Sequence, residues 1–80
     1  MWVVISRNQC NFCDDAKAML KGLGYPYTEY NVQSGSSKWV LSLLKKADIK
    51  TVPQIFKPDG THIGGYTELK EYINDQTPVQ

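Results

Sequence analysis

The chain has 80 residues, 41% hydrophobic and 21% charged, with a formal net charge of +1. That length fits one domain near the lower size limit for an unaided core, and the composition is that of an ordinary globular protein, so disorder is not the default. Scattered lysines on a near-neutral chain give neither the basic footprint of a nucleic-acid binder nor a polybasic membrane patch.

Residues 2–6, Trp2-Val3-Val4-Ile5-Ser6, are β-branched and aromatic and too short for a helix, so they read as a buried strand. Arg7-Asn8-Gln9 is a polar loop. From Asn11 to Leu23, apolar residues recur at Ala16, Met19, Leu20 and Leu23, the spacing of one helical face. Asp14 and Asp15 suit the first turn of that helix, and Gly22 and Gly24 mark its end. Tyr25-Pro26 breaks the chain, and residues 27–32 alternate as a second strand. Residues 33–37 form a turn whose last serines are placed to cap a helix carrying Val40, Leu43, Leu44 and Ala47 on one stripe. Thr51-Val52-Pro53 introduces a third strand over 54–57. Pro58-Asp59-Gly60 turns it into a fourth, Thr61-His62-Ile63, and Gly64-Gly65 breaks that strand. Thr67 is placed to cap a last helix with Leu69, Tyr72 and Ile73, and residues 76–80 read as a frayed tail after a single domain over 1–75.

The order is β-α-β-α-β-β-α, an α/β chain. Its first β-α-β requires a parallel pair with a right-handed crossover, and the hairpin adds an antiparallel pair. The expected product is a mixed four-stranded sheet flanked by about three helices, with the first strand central and its end opening on the loop before Cys10.

The two cysteines, Cys10 and Cys13, are the only ones in the chain. An isolated free cysteine is most often a small core residue. A C-x-x-C at a strand–helix junction is the layout of thiol–disulfide chemistry, because positions i and i+3 share a helical face and both sulfurs meet at the first turn. Unpaired amides and the helix dipole there favour a thiolate. A free thiol has a pKa near ~8.5, and such a setting brings it to about 3.5–7.5. Cys10, at the helix start, is the expected nucleophile, and Cys13, one turn in and more buried, the expected resolving thiol. Arg7, three residues before Cys10, is a candidate cation beside it, and Lys17 could add to the field. Asp14 and Asp15 act the other way if they lean toward the sulfurs. Two cysteines are too few for a secreted disulfide scaffold, and with one distant histidine they are too few for a structural zinc site.

Three separated motifs resemble the glutaredoxins of the thioredoxin-like superfamily. Cys10-Asn11-Phe12-Cys13 sits where that family has C-P-Y-C. Thr51-Val52-Pro53-Gln54-Ile55-Phe56 resembles its T-V-P-x-[IV]-F segment, and His62-Ile63-Gly64-Gly65-Tyr66-Thr67-Glu68-Leu69 resembles its glutathione-binding signature. The short length and the P-D-G-x-H-I-G-G stretch are most similar to the small bacteriophage members.

The resemblance implies a thioredoxin-like fold, and a dithiol oxidoreductase that reduces protein disulfides and glutathionylated thiols with glutathione as co-substrate and no bound cofactor. It implies a cis Pro53 that leaves the Val52 backbone free to pair with a cysteinyl backbone. It also implies a γ-glutamyl carboxylate site at Gly64, Gly65, Tyr66 and Thr67, a glycyl carboxylate site at Arg7, and further lining from Phe12 and Thr51. Asn11 gives up the preorganised φ of a proline, and Phe12 keeps a shielding ring without the phenol. Ribonucleotide reductase is an implied protein target. The expected setting is a monomer in the cytoplasm (the host's if phage-encoded), with no nucleic-acid or membrane partner, since no apolar run approaches ~18 residues and no signal peptide is evident. The alternatives are a cluster shared between two chains with glutathione as co-ligand, and a thioredoxin-like protein recharged by a flavin reductase.

Overall fold

Trp2–Ser6 forms β1 as expected, and it lies inside a four-stranded sheet rather than at its edge. In the computed structural model, which describes residues 1–76, the elements that follow are α1 (Asn11–Gly22), β2 (Tyr27–Asn31), a 3₁₀ turn (Gly35–Ser37), α2 (Lys38–Lys46), β3 (Gln54–Phe56), β4 (His62–Gly64) and α3 (Tyr66–Gln76). The sheet order is β2-β1-β3-β4. β1 pairs parallel with β2, Trp2 opposite Tyr27 and Ser6 opposite Asn31. β3 pairs antiparallel with both β1 and β4, with an irregularity at Ile55/Phe56. The fold expectation holds, including the mixed sheet and the central first strand. Among the described residues, no helix is long and apolar enough to cross a membrane.

Because strand side chains alternate, β1 feeds two cores. Trp2 and Val4 pack with Ala16, Leu20, Ile55 and Leu69, which seats α1 and α3 on one face. Ile5 packs with Val32, Val40 and Leu44, which seats α2 on the other. Burying each large aliphatic side chain contributes roughly 1.5–3 kcal/mol. The α2 stripe is narrower than its sequence spacing suggests: Val40 and Leu44 are buried, while Leu43 is 53% exposed.

Helices α1 and α2 end in the same hydrogen-bonded device. Gly24 and Tyr25 donate to the carbonyls of Lys21 and Leu20, and Asp48 and Ile49 donate to those of Lys45 and Leu44. Gly24 has the positive φ, +74°, that this cap needs, and Asp48 adopts +58° without glycine's freedom. Two expected side-chain caps are not formed. Ser37 precedes α2 without a side-chain capping bond, and its own N–H donates to the Ser34 carbonyl. Thr67 is the second residue of α3, and the entry to that helix is fixed by Glu68, whose Oε1 accepts from Gly65 N at 2.7 Å. That is the glutamate half of a capping box. The fourth strand runs one residue later than expected and takes in Gly64. The expectation of a frayed tail begins at Gln76, the end of α3, and residues 77–80 lie outside the described residues.

Candidate active site

The loop from β1 into α1 leads to Cys10 and is tied down at residues 31–33, where β2 ends. Val32 N donates to Ser6 O at 2.9 Å. Asn31 Nδ2 donates to Asn8 Oδ1, Asn8 N to Gln33 Oε1 and Gln33 N to Asn31 Oδ1, so the start of the loop is clamped to the end of β2. Gln9, next to Cys10, has φ +53°, a left-handed conformation that non-glycine residues adopt at a cost. Together these deliver Cys10 to the start of the helix in an extended conformation.

There Cys10 is the N-cap of α1. Its carbonyl accepts the first helical bond from Asp14 N, and its sulfur accepts from Cys13 N at 3.2 Å. The sulfur thus occupies the position that a serine or aspartate oxygen takes at an ordinary N-cap. The two cysteines form a disulfide with their Cα atoms 5.2 Å apart. Cys10 retains 6% of its surface and Cys13 none, which is the expected order of exposure. Cys13 is fully buried, so of the pair Cys10 alone keeps any contact with solvent.

Opposite the sulfurs lies the segment before β3. The Val52–Pro53 bond is cis, and Cys10 Sγ lies 4.0 Å from the Val52 carbonyl oxygen. Among the described residues, Val52 has no backbone hydrogen-bond partner. The segment is held by a residue that sequence reasoning passed over. Gln54, 6% exposed, donates from Nε2 to the Thr51 carbonyl at 2.9 Å, while its Oε1 pairs with His62 Nε2 at 2.6 Å. A long polar side chain predicted inside a strand was the available signal.

Two hollows meet at Thr51 and Val52. The smaller, about 150 Å³, is bounded by Phe12, Pro53, Gly65, Tyr66, Thr67 and Glu68. The Phe12 ring is 63% exposed and stacks on Tyr66 with centroids 6.1 Å apart, so it walls the hollow from the solvent side. Gly65 backs it closely, since a Cβ there would meet Glu68 Oε1 at 3.2 Å and the Pro53 carbonyl at 3.5 Å. The first amides of α3, those of Tyr66 and Thr67, point outward from a helix start and suit a carboxylate. The Gly65 amide is already taken by Glu68. The larger hollow, about 490 Å³, is lined by Arg7 and by residues at the end of α2. Thr51 and Val52 thus border both hollows, Arg7 the larger and Phe12, Pro53, Gly65, Tyr66 and Thr67 the smaller. Cys10 reaches them through Val52, while Cys13 and Gly64 line neither.

Lys17 is paired with two carboxylates rather than standing free beside the helix start. Its ammonium lies 2.9 Å from Glu29 Oε2 and 3.6 Å from Asp14 Oδ1, and Ser6 Oγ donates to the same Glu29 oxygen at 2.5 Å. Burial pushes the Glu29 carboxyl up, but the Ser6 hydroxyl and Lys17 outweigh it and hold the group below 4.5. The bond to Glu29 raises Lys17 above 10.5. Folded Glu29 therefore binds fewer protons than the unfolded chain, so its stabilisation is present above 4.5 and is lost as pH falls through the lowered value. That of Lys17 is present below 10.5 and is lost as pH rises through the raised value. Thermal melts from neutral pH down to about pH 3 should show Glu29→Gln less stable than wild type at neutrality, with the gap closing on the acid side. A gap independent of pH would contradict this.

Among the described residues, no three or more His, Cys, Asp or Glu side chains come together to hold a metal ion. The glutaredoxin family model matches residues 2–63. The chain belongs to the glutaredoxin family. Glutaredoxin from Enterobacteria phage T4 is 34% identical over 75 residues, covering 82% of this chain and 86% of that one. Glutaredoxin 3 of Escherichia coli K12 is 33% identical over 66 residues, covering 82% and 77%. Among solved structures, a buckwheat glutaredoxin–glutathione complex superposes with a TM-score of 0.79 at 30% identity, covering 94% of this chain and 69% of that one. Glutaredoxins are thiol–disulfide oxidoreductases, and a cysteine pair at the head of α1 is the equipment for that reaction.

Proposed function

We propose that this glutaredoxin is a dithiol enzyme that uses glutathione to reduce protein disulfides and glutathionylated thiols, with Cys10 as nucleophile and Cys13 as resolving thiol. The observation that carries this reading is the position of Cys10 Sγ. It is a helix N-cap acceptor 4.0 Å from a free backbone carbonyl, where the two hollows meet.

The Cys10 thiolate attacks one sulfur of a substrate disulfide. The old S–S bond breaks, one thiolate leaves, and a mixed disulfide to Cys10 forms. The Cys13 thiolate then attacks the Cys10 sulfur, expels the second substrate thiolate and forms the Cys10–Cys13 disulfide. The substrate has gained two electrons and the protein has lost two. One glutathione thiolate opens the protein disulfide at Cys10, the less buried cysteine, and releases Cys13. A second attacks the glutathione sulfur, forms glutathione disulfide and regenerates the Cys10 thiolate. Helix amides stabilise the thiolate at each release of Cys10.

The cysteinyl unit of glutathione would pair with the Val52 backbone as a short added strand. Its γ-glutamyl carboxylate would meet the Tyr66 and Thr67 amides, with the Thr67 hydroxyl beside them. Its glycyl carboxylate would meet Arg7. The buckwheat relative in complex with glutathione supports the same ligand class. Glutathione as reductant requires a reducing compartment such as the cytoplasm. Ribonucleotide reductase, which must be re-reduced at a dithiol, is a protein target of the proposed kind.

Excess glutathione should reduce the oxidised protein and sustain turnover of a glutathionyl mixed disulfide. Arg7→Glu should raise the KM for glutathione about tenfold with kcat within about twofold, since it removes a contact made in ground and transition states alike. Turnover with a flavin reductase and none with glutathione would overturn the reading.

A further inference from the structure

The larger hollow has a lining that a glycine leaves uncovered. It is about 490 Å³ against about 150 Å³ for the hollow at the start of α3, and the two share only Thr51 and Val52. On the glutathione reading, on which this inference rests, the residue that enters the larger hollow is glycine. Glycine has no side chain, yet the floor there is aliphatic: Leu41, Leu44 and Ile49 beside Val32 and Val52. Leu41 is 39% exposed. Nothing in glutathione covers that surface.

The rim is as informative as the floor. Arg7, Lys45 and Lys50 line the hollow, with Asp48 as the one carboxylate, so three cations stand against one anion on a chain whose whole net charge is +1. Asp48 lies 3.7 Å from Lys50, with both side chains more than four-fifths exposed. Among the described residues, Lys45 and Arg7 have no ion-pair partner.

Chain direction identifies the occupant. In glutathione the glycine follows the cysteine through an ordinary peptide bond, so in a protein substrate the residues after the reacting cysteine take the same path. We propose that this hollow is a subsite for the polypeptide segment immediately C-terminal to the substrate cysteine. It selects segments that combine an aliphatic side chain with one or more carboxylates. The aliphatic group covers Leu44 and Ile49, and the carboxylates meet Lys45 and Lys50. Lys45 and Lys50 are specificity residues for protein disulfides and take no part in the handling of glutathione.

The test uses the full chain, reduced beforehand with a chemical dithiol that is then removed, in single turnovers against disulfide-linked dimers of short one-cysteine peptides. One peptide carries Asp-Leu-Glu shortly after the cysteine, a second carries the same residues before it, and a third replaces both acids with lysine. The first should react about tenfold faster than the third at low ionic strength, and faster than the second, the advantage shrinking as salt is added. Lys45→Gln/Lys50→Gln, which removes the charges without adding anions beside the glycyl carboxylate, should erase the preference while leaving turnover of a glutathionyl mixed disulfide within about twofold of wild type, which also reports that the variant is folded. Equal rates for the three peptides, or equal losses on peptide and glutathionyl substrates in the double variant, would overturn the subsite. A protein that ranks the peptides as expected but ignores glutathione would support the subsite and overturn the glutathione reading, so the two fail separately.

Discussion

Replacing Cys10 by serine should abolish reduction of every disulfide substrate, a loss on the order of a thousandfold or more, whereas Cys13→Ser should divide the substrates into two classes. The Cys13 variant should still remove glutathione from a mixed disulfide. In that reaction Cys10 attacks the glutathione sulfur, the substrate thiol leaves, and a second glutathione regenerates Cys10. The same variant should fail on protein disulfides, which need an internal thiol to break the mixed disulfide. The asymmetry follows from the geometry: Cys10 keeps some exposed surface and its sulfur takes the Cys13 amide as donor, while Cys13 is fully buried. Rates for both variants on a glutathionyl peptide and on a disulfide-bonded protein check this. Equal loss in both variants on both substrates would remove the distinction between attacking and resolving thiol.

The second large effect is expected in stability, at Gly64. Its φ of +122° lies where a side chain is strained, and a Cβ would stand 2.9 Å from Glu68 Cγ. Gly64→Ala should cost about 2 kcal/mol. For a domain of this size that is a fall in Tm of roughly 8–16 °C. To make room, Glu68 must release the Gly65 amide, so the entry to α3 should loosen and the KM for glutathione rise as well. Gly60 is the control: its φ is +90°, but a Cβ there meets nothing within 4 Å. Gly60→Ala therefore carries strain without collision and should cost less, with no effect on KM. Equal losses at the two positions would show that Glu68 does not matter.

The sequence disclosed what depends on local pattern. Apolar spacing located α1 and α2, Gly24 and Pro58-Asp59-Gly60 punctuated the chain as turn chemistry requires, and the C-x-x-C identified the helix head. Pro53 and the start of α3 carried meaning only through resemblance to the family, because a proline before a strand and a Gly-Gly pair are ordinary by themselves. What escaped sequence reading was decided by long-range partners. Lys17 looked free to act on the sulfurs until β2 brought Glu29 beside it, 12 positions away in sequence. Gln54 looked like a strand residue until the hairpin set His62 and Thr51 around it. Thr67 had the chemistry of a cap, but Glu68, three residues past Gly65, had the reach. Asp48 gave no sign of a left-handed cap because glycine is the residue that usually marks one.

The most direct check of the whole account is the ionisation of Cys10 in the reduced protein, read from the pH dependence of its alkylation rate with the modified site assigned by mass spectrometry. Helix amides aimed at that sulfur predict a half-point well below that of a free cysteine in solution, with Cys13 reacting far more slowly at every pH. A half-point at or above the free-thiol value, or preferential labelling of Cys13, would contradict it.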